Sequence, residues 1–301
     1  MVVSAGHKLG QIVGDWWEQH VVLPLLQDVA AKLGLFLDNR FIERTCRKGK
    51  ILWPDADRNN VDYDFVLELG GTTAKKGVPV AFLESFWRGG ARHSKDKARD
   101  DTNKLLPMRS TYPTARFLAI AACGEFTEPA REYVRTREVE LFYISKANIV
   151  RTFEECGLKI DYPDNMAEKD KLGLVNRLEE SLTVDTKQAA FEELQQIVGN
   201  GSFRAFQDKI SSSLSAMPQE IRLFVLTKTG PKVFDSTEKV RNFLSSDIDW
   251  SALGDAKREY VYDVIYTDGS EFTLTASDIV ELRTLHEQVE TLQRHMSKLA
   301  G

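Results

Sequence analysis

Three acidic residues stand beside apolar segments where their carboxylates could meet. In VDYDFVLEL (61–69), Asp62 and Asp64 are two residues apart on a predicted strand, so side-chain alternation puts both on one face. In VPVAFLESFW (78–87), Glu84 is the first charge after an apolar run, where an acid is costly unless paired or bound to a cation. If these strands are neighbours, the acids form a hard oxygen site for Mg²⁺, or for Mn²⁺, able to support phosphodiester hydrolysis.

The same acids also have a purely structural interpretation. Asp62 and Asp64 could be polar residues on a solvated edge strand. Glu84 could simply pair with Arg88 or Arg92, which follow it closely in the chain. Both interpretations stay open at the level of the sequence.

A cationic stretch, RGGARHSKDKARDD (88–101), follows the acid-bearing strand. Its two glycines lie among basic residues and predict a flexible loop that can approach a phosphate closely. A helix is predicted to begin after it with Ser94 as the N-cap. Its Lys97 and Asp101 could equally be an i,i+4 pair on a solvated face. We predict DNA as the partner, with phosphate contacts from Arg92, His93, Lys97 and Arg99.

The surrounding patterns predict the elements that would position these residues. Residues 1–150 are predicted as a helix, about three strands, then helix, strand, helix and strand. This order indicates an α/β (α+β) domain built around a mixed sheet flanked by helices. The first helix is expected to be kinked or divided at Pro24.

The second half, residues 151–301, is predicted to be a separate α+β region for specificity, regulation or dimerisation. Residues 166–216 have helical spacing, with a break at GNGS (199–202). Residues 221–235 and 258–275 are typical of two hairpins, the second with an Asp-Gly turn.

A final helix has apolar residues spaced by threes and fours. This pattern predicts either a heptad-like seam that joins a homodimer or a helix packed on its own domain. The positions are Ile279, Leu282, Leu285, Val289, Leu292, Met296 and Leu299.

The acids and the elements around them resemble the core of the PD-(D/E)xK nuclease superfamily, which includes type II restriction enzymes. The resemblance rests on Asp64, Glu84 twenty residues later at the end of an apolar strand, the basic helix and ARFLAIAACG (115–124). It covers about residues 10–145 and implies a restriction-endonuclease-like α-β-β-β-α-β core. It also implies that Asp64, with Asp62 as second choice, and Glu84 hold the metal of a DNA endonuclease active in restriction or defence.

The chain departs from the family pattern at Phe86, where the resemblance requires a lysine. A displaced replacement is expected from Lys95, or after it from Lys97, on the following helix. Arg88 stays protonated and could act only as an electrostatic helper. Glu18 on the first helix is a further candidate acid. The alternative is a nuclease fold retained as a catalytically inactive nucleic-acid-binding or interaction module, which Phe86 favours and the paired acids oppose.

Composition narrows the class of protein. The chain has 301 residues, 42% hydrophobic and 28% charged, with a net charge of −5, as expected of a globular protein with local basic regions. Its three cysteines lack CxxC spacing, which argues against a disulfide scaffold or a zinc site. No signal-peptide pattern or membrane-spanning run is found, so a cytoplasmic location is predicted. An unrelated α/β fold acting on another substrate is the remaining alternative.

Overall fold

A computed structural model describes residues 4–163, 165–225, 230–246 and 260–300. The chain opens with one long helical segment made of α1, a π-helical stretch and α2. Pro24 does not end this segment, because it lies in the first turn of α2, directly after the π-helical stretch. The bounds are α1 (Ala5–Trp16), π-helix (Trp17–Val22) and α2 (Leu23–Lys32).

The following elements build the first sheet and the helices around it. They are β1 (Phe36–Asn39), β2 (Leu52–Pro54), β3 (Asn60–Asp62), β4 (Phe65–Leu69), β5 (Val78–Arg88), α3 (Ser94–Thr111), β6 (Phe117–Gly124), α4 (Glu128–Arg135), β7 (Glu140–Ser145) and α5 (Lys146–Glu155).

The main sheet has five strands in the order β1-β4-β5-β6-β7. β1, β4 and β5 pair antiparallel, whereas β5, β6 and β7 pair parallel. A mixed sheet flanked by helices confirms the predicted mixed α/β class. The parallel pairs are joined through helices α3 and α4, as parallel connections require.

The expectation of one continuous strand over 61–69 is wrong. β3 ends at Asp62 and pairs with β2 in a separate two-stranded sheet, and the main-sheet strand β4 begins only at Phe65. Asp62 accepts a hydrogen bond from the Ile51 amide, while Asp64 accepts one from β5. The two acids are therefore held by different sheets and do not share one strand face.

Alternate residues of β6 face two hydrophobic cores on opposite sides of the sheet. Phe117 and Ala119 belong to the core beneath the N-terminal helices, and Leu118 and Ile120 belong to the core beneath α3 and α4. This alternation follows from the two-residue period of a strand whose two faces are both covered.

The described residues of the second half of the chain form four helices, a second sheet and a long final helix. The bounds are α6 (Glu168–Ser181), α7 (Val184–Val198), α8 (Asn200–Ser215), β8 (Pro218–Val225), β9 (Lys232–Phe234), α9 (Thr237–Leu244), β10 (Tyr260–Tyr266), β11 (Glu271–Ala276) and α10 (Ile279–Ala300). No helix within the described ranges is long and apolar enough to cross a membrane.

The helices of residues 166–216 confirm the sequence prediction, and Gly199 breaks α7 from α8 with a φ of 84°. Leu178, Leu194 and Phe203 from these helices are buried in the same core as α1 and α5. That core is therefore continuous across residue 150, the domain boundary expected from the sequence.

The two predicted hairpins are present and join into one antiparallel sheet in the order β11-β10-β8-β9. Gly269 has a φ of 80° in the turn between β10 and β11, a conformation that glycine adopts without steric penalty. The turn residues 226–229 and the predicted strand residues 258–259 lie outside the described residues.

The apolar seam of α10 is covered largely by the chain itself. Leu282 and Val289 are buried in the core of the second sheet, and Leu292 and Met296 are buried in the first core. Leu299, by contrast, is 49% exposed. The structure therefore agrees with the second interpretation, in which the final helix packs on its own chain. A homodimer remains a prediction, and it would need a surface other than this seam.

Candidate functional site

Asp64 and Glu84 come together at neighbouring positions of two paired strands. β4 and β5 are antiparallel, with Phe65 opposite Leu83, and continuing this register by one residue puts Asp64 opposite Glu84. The Ser85 amide donates a hydrogen bond of 2.7 Å to Asp64 Oδ2. The backbone next to Glu84 thus holds Asp64 in place, which favours a shared site for the two carboxylates.

Both carboxyl groups have raised pKa values. Glu84 is only 3% exposed. Burial raises its pKa well above the usual range, and the charges of Asp64 and Asp101 raise it further, against the opposing effect of Lys104. Burial also raises the pKa of Asp64, although the Ser85 amide and nearby cations oppose this. A cation bound between the two acids would lower both pKa values. Carboxyl groups with shifted pKa values are typical of functional sites.

Lys104 of α3 supplies a positive charge directly to Glu84. Its Nζ lies 2.6 Å from Glu84 Oε1. The Tyr63 hydroxyl donates a hydrogen bond of 2.8 Å to the Lys104 carbonyl, and Lys104 Nζ stands 5.2 Å from the centre of the Tyr63 ring. The lysine at the acid pair is therefore Lys104, which the sequence analysis missed, and not Lys95, which is exposed.

Lys97 also points toward the acids, from two turns earlier on α3. Its Nζ lies 2.8 Å from Asp101 Oδ1 and 5.1 Å from the centre of the Phe86 ring. Burial lowers the pKa of Lys97, but Asp101, Glu84 and Asp64 together raise it more, so the net shift is upward. Lys97 consequently stays protonated at neutral pH.

The spacing of Lys97, Asp101 and Lys104 is the signal that could have identified this face of α3. Positions i, i+4 and i+7 lie on one side of a helix. Asp101 is only 3% exposed although it is charged, so this face is turned toward the sheet and not toward solvent. Asp101 therefore orients the Lys97 side chain on the face of α3 that packs against the sheet, while Lys104 contacts Glu84.

Phe86 of β5 packs in an apolar environment. Its ring packs edge-to-face against Phe126 at 5.3 Å and belongs to the same core as Leu105. The strand therefore offers a ring at the position where the family resemblance requires an ammonium group. Both ammonium groups near the acids come from α3 instead.

Glu18 extends the acidic site from the N-terminal helix. It lies in the π-helical stretch, a helix form that is frequent at functional sites, and is 8% exposed. Burial raises its pKa to about 7, and Asp64 raises it too, while Arg40 lowers it. Arg40 Nε donates a hydrogen bond of 2.8 Å to Glu18 Oε1. The neighbouring Trp17 indole donates to the Ala121 carbonyl at 3.1 Å, which fixes the stretch against the sheet.

A cleft of about 660 Å³ opens beside Glu18 and Asp64. Its far wall is the end of β5 and the loop after it, with Trp87, Arg88 and two glycines. The near wall is a face of α1 with glycines at positions 6, 10 and 14. The cleft therefore gives a substrate access to Asp64 and Glu18 past a cationic rim at Arg88.

The remaining basic residues predicted to contact DNA lie on the exposed loop and the first turns of α3. Arg88 lines the cleft and donates a hydrogen bond to the Arg92 carbonyl. Arg92, His93 and Arg99 are exposed. His93 Nδ1 lies 3.0 Å from Asp96, and Arg99 lies 3.9 Å from the same carboxylate.

Two predictions on local geometry need correction. The N-cap of α3 is His93, with a φ of 61°, and not Ser94, whose hydroxyl donates to the Ala91 carbonyl from inside the helix. Asp62 does not join the acid pair: it accepts from the Ile51 amide and lies 3.6 Å from Lys50. Both outcomes depend on the β2–β3 sheet and the loop after β5, whose courses strand alternation does not specify.

Two carboxylates of the site could serve as ligands of a magnesium ion. No group of three or more His, Cys, Asp or Glu side chains among the described residues is arranged to hold a metal. Mg²⁺, however, usually binds through one or two carboxylates, waters and substrate phosphates. Asp64 and Glu84, at adjacent positions of the β4–β5 pairing, are the two carboxylates that could serve as such ligands.

Comparison with known proteins gives no relatives. No protein-family model matches the chain, and neither a curated protein nor a solved structure matches it. The site geometry itself is therefore the basis for a functional proposal.

Proposed function

We propose that the chain is a metal-dependent DNA endonuclease of the PD-(D/E)xK type. The observation that carries the proposal is the pair of adjacent acids, Asp64 and Glu84, faced by two lysines of α3. Restriction or defence against foreign DNA is the biological setting that the family resemblance suggests.

The fold supports this proposal in its order of elements. With the β2–β3 sheet set aside, the chain runs helix, three antiparallel strands, helix α3 and parallel strand β6. This order agrees with the α-β-β-β-α-β core that the family resemblance implies. Asp64 directly precedes the second of these strands, and Glu84 lies on the third.

Each residue of the site has a proposed role. Asp64 and Glu84 would hold Mg²⁺ or Mn²⁺, and that ion would supply an activated water and stabilise charge on the phosphate. Lys104, held by Glu84 and Tyr63, takes the place of the lysine absent at Phe86 and orients the water or a phosphate oxygen. Lys97 adds a second positive charge to the same face.

Arg88 and the exposed cations that follow it in the chain are proposed to hold the DNA backbone. Arg88 ends β5 and lines the cleft, while Arg92, Lys95 and Arg99 are exposed on the loop after it and the first turns of α3. Binding through such contacts releases counterions, so DNA affinity should fall steeply as salt rises.

A cleavage assay tests the proposal. The wild type is expected to cut plasmid and linear DNA with Mg²⁺ or Mn²⁺ and to be inactive in EDTA. Asp64→Ala and Glu84→Ala are expected to lose at least about 100-fold in rate, because each removes a metal ligand. Asp62→Ala is the matched control and should keep activity. The proposal fails if no metal supports cleavage, or if Glu84→Ala cuts as fast as the wild type.

A catalytically inactive nucleic-acid-binding module is the second candidate, and Phe86 favours it. The fold and the cationic loop would then serve binding alone. This candidate predicts salt-sensitive DNA binding by the wild type without cleavage under any metal, and binding that Glu84→Ala leaves unchanged.

A further inference from the structure

The β2–β3 ribbon (residues 52–62) has no role in the site described above. It is a two-stranded antiparallel sheet of its own, inserted between β1 and β4 of the main sheet. It ends at Asp62, two residues before Asp64, which is one of the two proposed metal ligands. Tyr63 is the single residue between the ribbon and Asp64 in the chain.

The base of the ribbon is fixed to the main sheet and to α3. Trp53, 5% exposed, packs edge-on against Phe82 at 5.9 Å and Tyr112 at 5.6 Å. The Tyr112 hydroxyl donates a hydrogen bond of 2.9 Å to the Pro54 carbonyl. The Tyr63 amide donates to the Ile51 carbonyl at 3.1 Å. The ribbon is thus a rigid projection from the core.

The tip of the ribbon is ordered by one carboxylate. Asp55 Oδ1 accepts from the Asp57 amide at 3.0 Å and the Asn59 amide at 2.8 Å. The Arg58 amide donates to the Asp55 carbonyl at 2.9 Å, and Arg58 has a φ of 64°. A non-glycine residue in this conformation is uncommon, and such strain concentrates at functional positions.

The exposed side chains of the ribbon have the chemistry that reads base edges. Asp57, Arg58, Asn59 and Asn60 are all exposed. Arginine recognises guanine, asparagine recognises adenine, and aspartate accepts from cytosine. Acids and bases are mixed here, which suits base edges better than the uniformly negative phosphate backbone. A two-stranded ribbon also fits the major groove of B-DNA.

Chain length limits how far the ribbon can reach from the cleaved bond. Arg58 precedes Asp64 by six residues. An extended chain of that length spans at most about 20 Å, which corresponds to about six base pairs. The tip therefore reaches bases close to a phosphate bound at Asp64.

We propose that the β2–β3 ribbon enters a groove of duplex DNA and reads the base sequence next to the cleaved bond. The position of cleavage relative to those bases rests on the proposed nuclease function, whereas the reading of bases does not require cleavage. Arg58 and Asn60 are the specificity-determining residues, since Asn59 is partly engaged with Asp55 at 3.2 Å.

Two readouts on one randomised duplex pool test the proposal with the full-length protein. The first sequences the ends of DNA cut in Mg²⁺ or Mn²⁺. The second sequences the duplexes that the protein retains in EDTA and in Ca²⁺.

Arg58→Gly removes the guanidinium and suits the positive φ, so it should fold normally. Asn60→Ala is the second variant. Arg204→Ala is the charge-matched control, on α8 against the opposite face of the sheet.

Arg58→Gly and Asn60→Ala are expected to lose about tenfold or more in preference at defined bases within about six base pairs of the cut. Arg204→Ala should match the wild type. Cutting without any base preference, or preferences identical in wild type and both variants, overturns the role of the ribbon and leaves the nuclease proposal intact. A bound pool that depends on Arg58, without cleavage, supports the ribbon and rejects the nuclease. Failure of the wild type to bind or cut DNA rejects both.

Discussion

The ammonium group of Lys104 lies 2.6 Å from the carboxylate of Glu84, across the boundary between α3 and β5. The residue two positions after Glu84 on the strand is Phe86, so the strand itself brings no cation to the acid. A positive charge is nevertheless beside Glu84, because the helix that crosses this face of the sheet supplies it.

Three lysines of α3 should differ sharply in their effect on cleavage. Lys104→Ala and Lys97→Ala are expected to lower the rate by about 100-fold or more, as loss of a group acting on the reacting atoms does. Lys95→Ala should change it by less than about threefold, because Lys95 is exposed and acts at most through the DNA backbone. Single-turnover rates at saturating DNA separate these effects from binding. Equal losses in all three variants would contradict the assignment of Lys104.

Phe86→Lys should partly rescue the loss of Lys104. In a Lys104→Ala background, an ammonium at residue 86 is expected to restore cleavage at least about tenfold, since it returns a cation to the acid pair. Phe86→Met in the same background is the control, because it removes the ring without adding charge. Both changes should cost about 1–3 kcal/mol of stability through loss of the Phe126 contact. Equal activity of the two double variants would argue against electrostatic replacement.

Asp64→Asn should stabilise the metal-free protein at neutral pH. Burial raises the pKa of Asp64 above 3.8 in the folded state, so the folded state holds its proton more tightly than the unfolded state does. Stability from this group is complete below pH 3.8 and is lost as pH rises through the folded pKa. We expect the variant to melt about 2–4 °C higher at pH 7 and equally at pH 3.5.

The melting temperatures of the wild type and Asp64→Asn should also be compared with Mg²⁺ or Mn²⁺ present. Each should raise the melting temperature of the wild type at pH 7, because a ligand that binds only the folded state stabilises it. The same ions should leave Asp64→Asn unchanged. A metal-dependent shift of the same size in both proteins would mean that the ion binds elsewhere.

Glu18 should make stability fall between pH 4.5 and about 7. Burial raises its folded pKa to about 7 from 4.5, so its contribution is present below pH 4.5 and is lost as pH rises through about 7. The loss amounts to at most about 3 kcal/mol. Urea unfolding at pH 5 and pH 8 should show a smaller decrease in Glu18→Gln than in the wild type. Glu180→Gln, an exposed change on α6, should follow the wild type.

The packing of α10 gives a test of its role. Replacing Leu292, which is 4% exposed, by alanine should lower the free energy of unfolding by about 2–4 kcal/mol. Leu299→Ala should change it by no more than about 0.5 kcal/mol. Urea unfolding measures both. If α10 instead formed a dimer seam, Leu299→Ala would be destabilising and the melting temperature of the wild type would depend on protein concentration.

The sequence predicted the elements of the main sheet because local patterns specify them. The apolar runs of β5 and β6, the acid at the end of one run and the basic helix after it are all visible without any long-range contact. The Asp-Gly turn of the second hairpin and the break at Gly199 were likewise predictable, since each depends on one residue and its neighbours.

The partner of Glu84 was not predictable in the same way. Lys104 is twenty residues from Glu84, and Lys95 is closer in sequence, yet the pitch of α3 and its crossing over β5 bring Lys104 to the acid. The separation of Asp62 from Asp64 also depends on pairing: β3 joins β2, and no alternation rule specifies that partner.

By itself, then, the sequence determined most of the helices and strands, the acids next to apolar runs and the missing lysine at Phe86, because these follow from periodicity and residue type. The tertiary structure decided which charges meet. Helix α3 lays Lys97 and Lys104 beneath the acids, the π-helical stretch turns Glu18 toward Asp64, and α10 buries its seam in both cores. Those outcomes depend on how helices pack across a sheet, a relation between distant segments that no local pattern contains.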